Sequence, residues 1–291
     1  MSSTLLKLPD GTEPVTNADE EIFLVYTALN QKPLDLAGPD GFYGLGHVDS
    51  RKDTLSIQFE LTAPSQPTPP TSRFKSASRS RKGKSARQTR SEETPHVIEI
   101  ELAQDKTALR SRKGDTGSVL WRASAGTGLL SIALSACAKS YTATDIAPLL
   151  PLLRKNVALN FAGWTQNTKP PEGSPGSNIS VEELDWETLL SLPPTGRSRY
   201  YPKPPEPNAK WDLVLIVDCI YHPSLLPALV ETIETVSTAG KTWALVIVEL
   251  RQEDVVREFL ERWLNKGTWR LFRVDGLLDL PYVAWACQKH A

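Results

Sequence analysis

The chain has 291 residues, 40% hydrophobic and 23% charged, with 33 basic side chains against 34 acidic ones and a formal net charge of −1. That is the balance of an ordinary globular protein, long enough for one large domain or two small ones. No apolar run reaches the ~18–20 residues of a membrane span. The opening residues 1–9 are too short and too soon broken by proline for a secretory signal.

Cys137, Cys219 and Cys287 are widely spaced and fit neither a disulfide framework nor a zinc pattern. They are expected to be buried free thiols in a reducing compartment, the cytoplasm first and the nucleus second. The charge is uneven along the chain. Residues 63–96 are rich in Pro, Ser, Thr, Lys and Arg, with eight cations between Arg73 and Arg90 and no acid before Glu92. Outside those eight, 25 basic residues face 34 acidic ones. With almost no large apolar residues the segment is expected to be a disordered insertion. Such a tract offers a weak contact to RNA or the ribosome through residues 73–90; a plain solvated linker is the simpler alternative.

In chain order, residues 19–29 are expected to form a short amphipathic helix capped by Asp19. Residues 54–61 and 97–102 alternate as strands and are expected to pair across the insertion, because closure entropy grows only slowly with loop length. After a polar connector, 129–138 reads as helix, 140–144 as a strand running into Asp145, and 147–161 as helix with Pro148 in its first turn. A loop at 168–178 leads to Asp185 and Trp186, and a polar, proline-rich loop is expected at 193–210. Residues 211–217 read as a buried strand running into Asp218, 224–239 as helix, 242–248 as a second buried strand, and 252–265 as helix. Strands near 268–274 and 283–289 close the chain. Apolar strands alternating with helices predict an α/β fold: a doubly wound sheet with an antiparallel edge and a small N-terminal β-hairpin. The expected division is an N-terminal extension and hairpin over 1–115, then a Rossmann-like domain over 116–291.

In such sheets ligands bind at the carboxyl ends of strands. Those ends hold Gly126-Thr-Gly128, Asp145, Asp185-Trp186 and Asp218-Cys-Ile-Tyr221. The glycines permit a tight turn and close approach to a ligand, and the following helix offers amides. Asp145, 17 residues beyond Gly128, suits an acid accepting both hydroxyls of a ribose. Trp186 suits stacking on an adenine, with Asp185 near its amino group. Alone, each has a plainer reading, as a helix cap or a packing residue.

Asp218-Cys-Ile-Tyr221 resembles the D-x-x-Y motif of seven-strand protein-lysine methyltransferases. Further matches are Gln104-Asp105, Thr116-Gly-Ser-Val-Leu-Trp121, Thr144-Asp145, Leu184-Asp185-Trp186, Glu249-Leu-Arg251 and Phe259-Leu-x-x-Trp263. Together they resemble family-16 lysine methyltransferases, in particular a fungal branch acting on ribosomal lysines, over residues 54–62 and 97–289. The resemblance implies S-adenosyl-L-methionine as methyl donor and a protein substrate, with a ribosomal protein foremost. By the same carry-over Trp121, Asp145 and Trp186 contact the donor, while Asp218 and Tyr221 line the lysine channel. The alternative is a non-catalytic interaction protein of the same fold, contacting ribosome or RNA through the basic insertion.

The chain departs from this family at one place. Relatives place a helix and then a first strand, about 25 residues, between the tryptophan motif and the glycine loop. Here Trp121 is followed by Arg-Ala-Ser-Ala and then Gly126. The first strand is therefore expected to be missing, through a shortened gene model or splice form, or replaced by residues 118–122.

Overall fold

The computed structural model describes residues 6, 8, 12, 14–31, 52–61, 96–105, 126–275 and 281–290. The basic insertion expected over 63–96 lies outside these residues except for His96, which opens a strand, and the Thr116–Trp121 motif and the candidate substitute strand 118–122 lie outside them too.

Helix α1 (Ala18–Asn30) starts one residue earlier than its pattern suggests. Its cap is Asn17, whose side-chain oxygen accepts from the Glu20 amide at 3.1 Å, rather than Asp19. Asp19 instead falls among three acids in the first turn, where the helix dipole favours negative charge. Strands β2 (Thr54–Leu61) and β3 (His96–Ala103) pair antiparallel in full register, Thr54 opposite Ala103, as the hairpin reading expects. A two-residue strand, β1 (Pro14–Val15), was not anticipated; it pairs antiparallel with Leu271 and Phe272.

After Gly128 come α2 (Leu129–Leu134) with a 3-10 turn over Ser135–Cys137, then β4 (Tyr141–Asp145). A further 3-10 turn precedes α3 (Leu150–Asn160), and β5 (Ile179–Glu183) follows. Helix α4 is Trp186–Ser191. The segment expected as loop contains α5 (Pro194–Tyr200). Pro194 suits a first helical turn, and Arg197 locks the segment by donating to the carbonyls of Leu190 and Leu192 and pairing with Glu231. The remaining elements are β6 (Leu213–Val217), α6 (Leu226–Val236), β7 (Trp243–Glu249), α7 (Glu253–Leu264), β8 (Trp269–Arg273) and β9 (Tyr282–Lys289).

The architecture is α/β, with a mixed five-stranded sheet ordered β1-β8-β9-β7-β6. Strands β6 and β7 run parallel, and β9 and β8 add the antiparallel edge. The described strands form three ladders: β4 and β5 make a separate parallel pair, and β2 and β3 the expected hairpin. No ladder joins β4 to β6 among the described residues. The break coincides with the place where the first strand is expected to be missing or replaced, and Leu213, Val214 and Leu215 of β6 are only half-buried.

Two apolar clusters follow this division. The larger packs α1, α6 and α7 on the five-stranded sheet, with Ile22, Leu226, Phe259, Trp263 and Trp285 at its centre. The smaller joins the hairpin, α2, α3 and β5 through Leu55, Ile100, Leu102, Leu153, Val157 and Ile179. Helices α4 and α6 are in contact, and Trp186 of α4 packs against the larger cluster. No helix among the described residues is long and apolar enough to cross a membrane. The expectation of three buried thiols needs correction: Cys287 is buried and Cys219 intermediate, but Cys137 is exposed because it ends the turn after α2 rather than lying on a core-facing helix.

Candidate active site

The site is assembled from strand ends. Parallel pairing in register sets Asp145 opposite Glu183, so the segments after β4 and β5 leave the sheet side by side. The Cys219 thiol is pushed up to about 12, chiefly by burial and then by the negative fields of Asp218 and Asp145. Both carboxylates therefore act on one sulfur.

Gly128 enters α2 with φ +86, a left-handed conformation that side chains other than glycine rarely adopt. A Cβ there would approach Leu153 Cδ2 to 3.2 Å, so the turn is closed to substitution on that side. Gly126 is half-buried in the same turn, and Thr127 between them is fully buried. The loop is held by Asn156 of α3. Its Nδ2 donates to the Thr127 carbonyl at 2.8 Å and to the Ala103 carbonyl at 3.1 Å, while its Oδ1 accepts from the Ala103 amide at 2.7 Å. One turn later Asn160 makes the same amide-like pair with Glu101, at 2.9 and 2.7 Å. Two asparagines four residues apart thus take the place of a neighbouring strand along β3, satisfying backbone groups that burial would otherwise penalise.

Asp145 accepts from the Ile146 amide at 2.8 Å, which orients its carboxylate at the strand end. Asp185 caps α4: Oδ1 accepts from the Glu187 and Thr188 amides at 3.0 and 3.3 Å, and Oδ2 from the Thr188 hydroxyl at 2.7 Å. Trp186 is half-buried and lies against the larger cluster, as does Cys219. Trp121 lies outside the described residues.

Asp218 does not cap the turn that follows it. His222 does, its Nδ1 accepting from the Ser224 amide at 3.3 Å. Asp218 instead has φ 54, a left-handed conformation that Asp tolerates better than most residues, and its amide donates to the Ile247 carbonyl of β7 at 2.8 Å. Its side chain is 6% exposed. Oδ2 accepts from Arg251 Nη2 at 2.6 Å, and Oδ1 is buried with no hydrogen-bond partner among the described residues. Burial raises the carboxyl above its ordinary value, while Arg251 pulls it back. Tyr221, three residues on, is half-buried beyond the buried Ile220.

Arg251 and Glu249 were visible in the sequence as a motif match but carried no assigned role. The structure gives them one: Arg251 Nη2 also donates to Glu249 Oε2, at 2.9 Å. Their signal was a charged pair directly behind a strand of continuous apolar residues.

Gly128 turns into a helix in a left-handed conformation, and Asp145 and the buried Asp218 each stand at a strand end. A family model described as lysine methyltransferase matches residues 102–265, more than half of the chain. Ribosomal lysine N-methyltransferase 5 of Candida glabrata is 24% identical over 88% of this chain and 92% of its own length. Protein N-lysine methyltransferase METTL21A of Danio rerio is 32% identical over 44% of this chain, and the match spans 48% of that protein. A diaminohydroxyphosphoribosylamino-pyrimidine deaminase of Schizosaccharomyces pombe is 27% identical over 56% of this chain, which spans 41% of its length. These relatives support the enzyme reading over the non-catalytic alternative, and the chain belongs to the lysine methyltransferase family.

Proposed function

We propose that this family member methylates the side-chain amine of a lysine in a ribosomal protein, with S-adenosylmethionine as donor. The observation that carries the reading is Asp218: a buried, left-handed acid at a strand end, one oxygen held by Arg251 and the other without a partner among the described residues. Proteins seldom bury such a group without a use for it.

Gly126, Gly128, Asp145, Asp185 and Trp186 would hold the donor, together with Trp121. When bound, the donor supplies a methyl group on a sulfonium, the sulfur keeping the bonding pair as the group leaves. The chain's own contribution is placement, because in-line displacement at a methyl group depends mainly on alignment and exclusion of water. A lysine ammonium, with an ordinary pKa near ~10.4, must lose a proton to solvent before its nitrogen is a nucleophile. Asp218 Oδ1 accepts a remaining N–H of that amine and turns its lone pair toward the donor side. Tyr221 offers an aromatic face that attracts the cationic forms of the amine.

In this reading the fold is a doubly wound methyltransferase sheet whose β4–β5 and β6–β7 pairs flank the place of an absent first strand. The extension over 1–115 precedes the domain at 116–291. The relatives named for ribosomal lysines favour a ribosomal substrate. The cations over 73–90 supply a weak contact to ribosomal RNA, and the cytoplasm, with the nucleus second, is the place of action.

Incubating the protein with radiolabelled S-adenosylmethionine and a ribosomal-protein fraction tests this. Label is expected on lysine and is expected to vanish with Asp218→Asn. No transfer by the wild-type protein to any fraction would sink the reading.

A further inference from the structure

The Asp218 carboxylate is not placed by its own backbone alone. A single nitrogen, Arg251 Nη2, bridges Asp218 Oδ2 at 2.6 Å and Glu249 Oε2 at 2.9 Å. The three side chains are 6%, 1% and 24% exposed for Asp218, Glu249 and Arg251, so they form an enclosed group of two carboxylates and one guanidinium. A buried charge is tolerated when paired, and Arg251 supplies that pairing to Asp218 Oδ2. Asp218 Oδ1 is buried with no hydrogen-bond partner among the described residues.

We propose that Arg251, braced by Glu249, is the positioning residue for the acceptor amine. It fixes Asp218 through Oδ2, so that Oδ1 stays ionised and aimed at the incoming nitrogen. This rests on the methyl-transfer reading above. The bridge also separates two acids that could not both remain charged side by side; without it they would share a proton, and Asp218 would lose its fixed acceptor oxygen. Because one nitrogen makes both of these contacts, a point of positive charge can supply them, and a lysine at 251 should serve for most of the effect.

The test uses the full chain and the variants Arg251→Met, Arg251→Lys, Asp218→Asn and the double variant Arg251→Met/Asp218→Asn. Two readouts are taken: kcat and KM for an acceptor protein, and the affinity for n-butylammonium by ligand-observed NMR. The affinity for S-adenosylmethionine serves as a control on the fold of the donor side. Arg251→Met is expected to lower kcat/KM for the acceptor by at least 30-fold and to weaken butylammonium at least fivefold, with donor affinity unchanged within twofold; such losses are what a displaced hydrogen-bonding charge entails. Arg251→Lys should recover most of both. The double variant should be no worse than Asp218→Asn, since Arg251 acts through Asp218. Unchanged butylammonium binding in Arg251→Met, additive losses in the double variant, or a parallel loss of donor affinity would each overturn the proposal. If the wild-type protein transfers no methyl group, the activity proposed above fails, and the butylammonium cycle alone decides the role of Arg251.

Discussion

The two halves of the molecule solve the same problem differently. On the acceptor side, β6 through β9 form a continuous ladder whose apolar face is covered by α1, α6 and α7. In the other half there are two two-stranded ladders, one of them ending at Asp145, and such pairs are marginal on their own. Side chains make up the difference. Asn156 and Asn160 hydrogen-bond along β3, and Asn178 donates to the carbonyls of Ser135 and Ala138, both at 2.8 Å, tying the loop before β5 to the end of α2. Among the described residues, the half with short ladders thus depends on a few amides.

That contrast can be broken from either side. Phe259→Ala empties a fully buried site that meets Trp263 edge-on at 5.2 Å between ring centres. It should cost about 3–5 kcal/mol and lower the urea midpoint seen by every probe. Asn156→Leu removes three hydrogen bonds and strands buried groups of Ala103 and Thr127. A loss of about 3 kcal/mol is expected, and hydrogen exchange should show it concentrated in residues 96–105 and 126–160 while β7 and β9 stay protected. Equal loss of protection in β7 would refute the idea of two separately supported halves. Asn160→Ala, half-exposed, should cost only about 1 kcal/mol, with protection falling at Glu101 alone.

The smallest effect has the opposite sign. Burial lifts the Asp218 carboxyl, with Arg251 opposing it. An acid that holds its proton more tightly folded than unfolded weakens folding as pH rises from its ordinary range to the raised value. Asp218→Asn should therefore raise Tm at neutral pH while abolishing transfer. A lower Tm would mean that Asp218 is a structural anchor.

Much of this was legible in the sequence, for identifiable reasons. Strand β2 matches its alternating pattern residue for residue, and α7 and β7 fall within one residue of theirs, because periodicity reports burial directly. The place of the sheet's interruption was legible too, since Trp121 and Gly126 stand too close for a helix and a strand to lie between them. Helix α5 was not legible: Pro194 and Gly196 read as loop, and its support comes from Glu231, distant in sequence. The roles of Asn156 and Asn160 were hidden for the same reason, since an asparagine within or ending a helix gives no local sign of a strand edge over fifty residues away. Arg251 was legible as a residue, but its bridging depends on how β6 and β7 pair.

The central claim is that the donor side, though its sheet is interrupted, still presents a working pocket beside Asp218. Isothermal titration of the full chain with S-adenosylmethionine tests it most directly. The account predicts saturable binding at a single site, lost on Asn156→Leu and retained in Asp218→Asn; no heat of binding at millimolar ligand would contradict it.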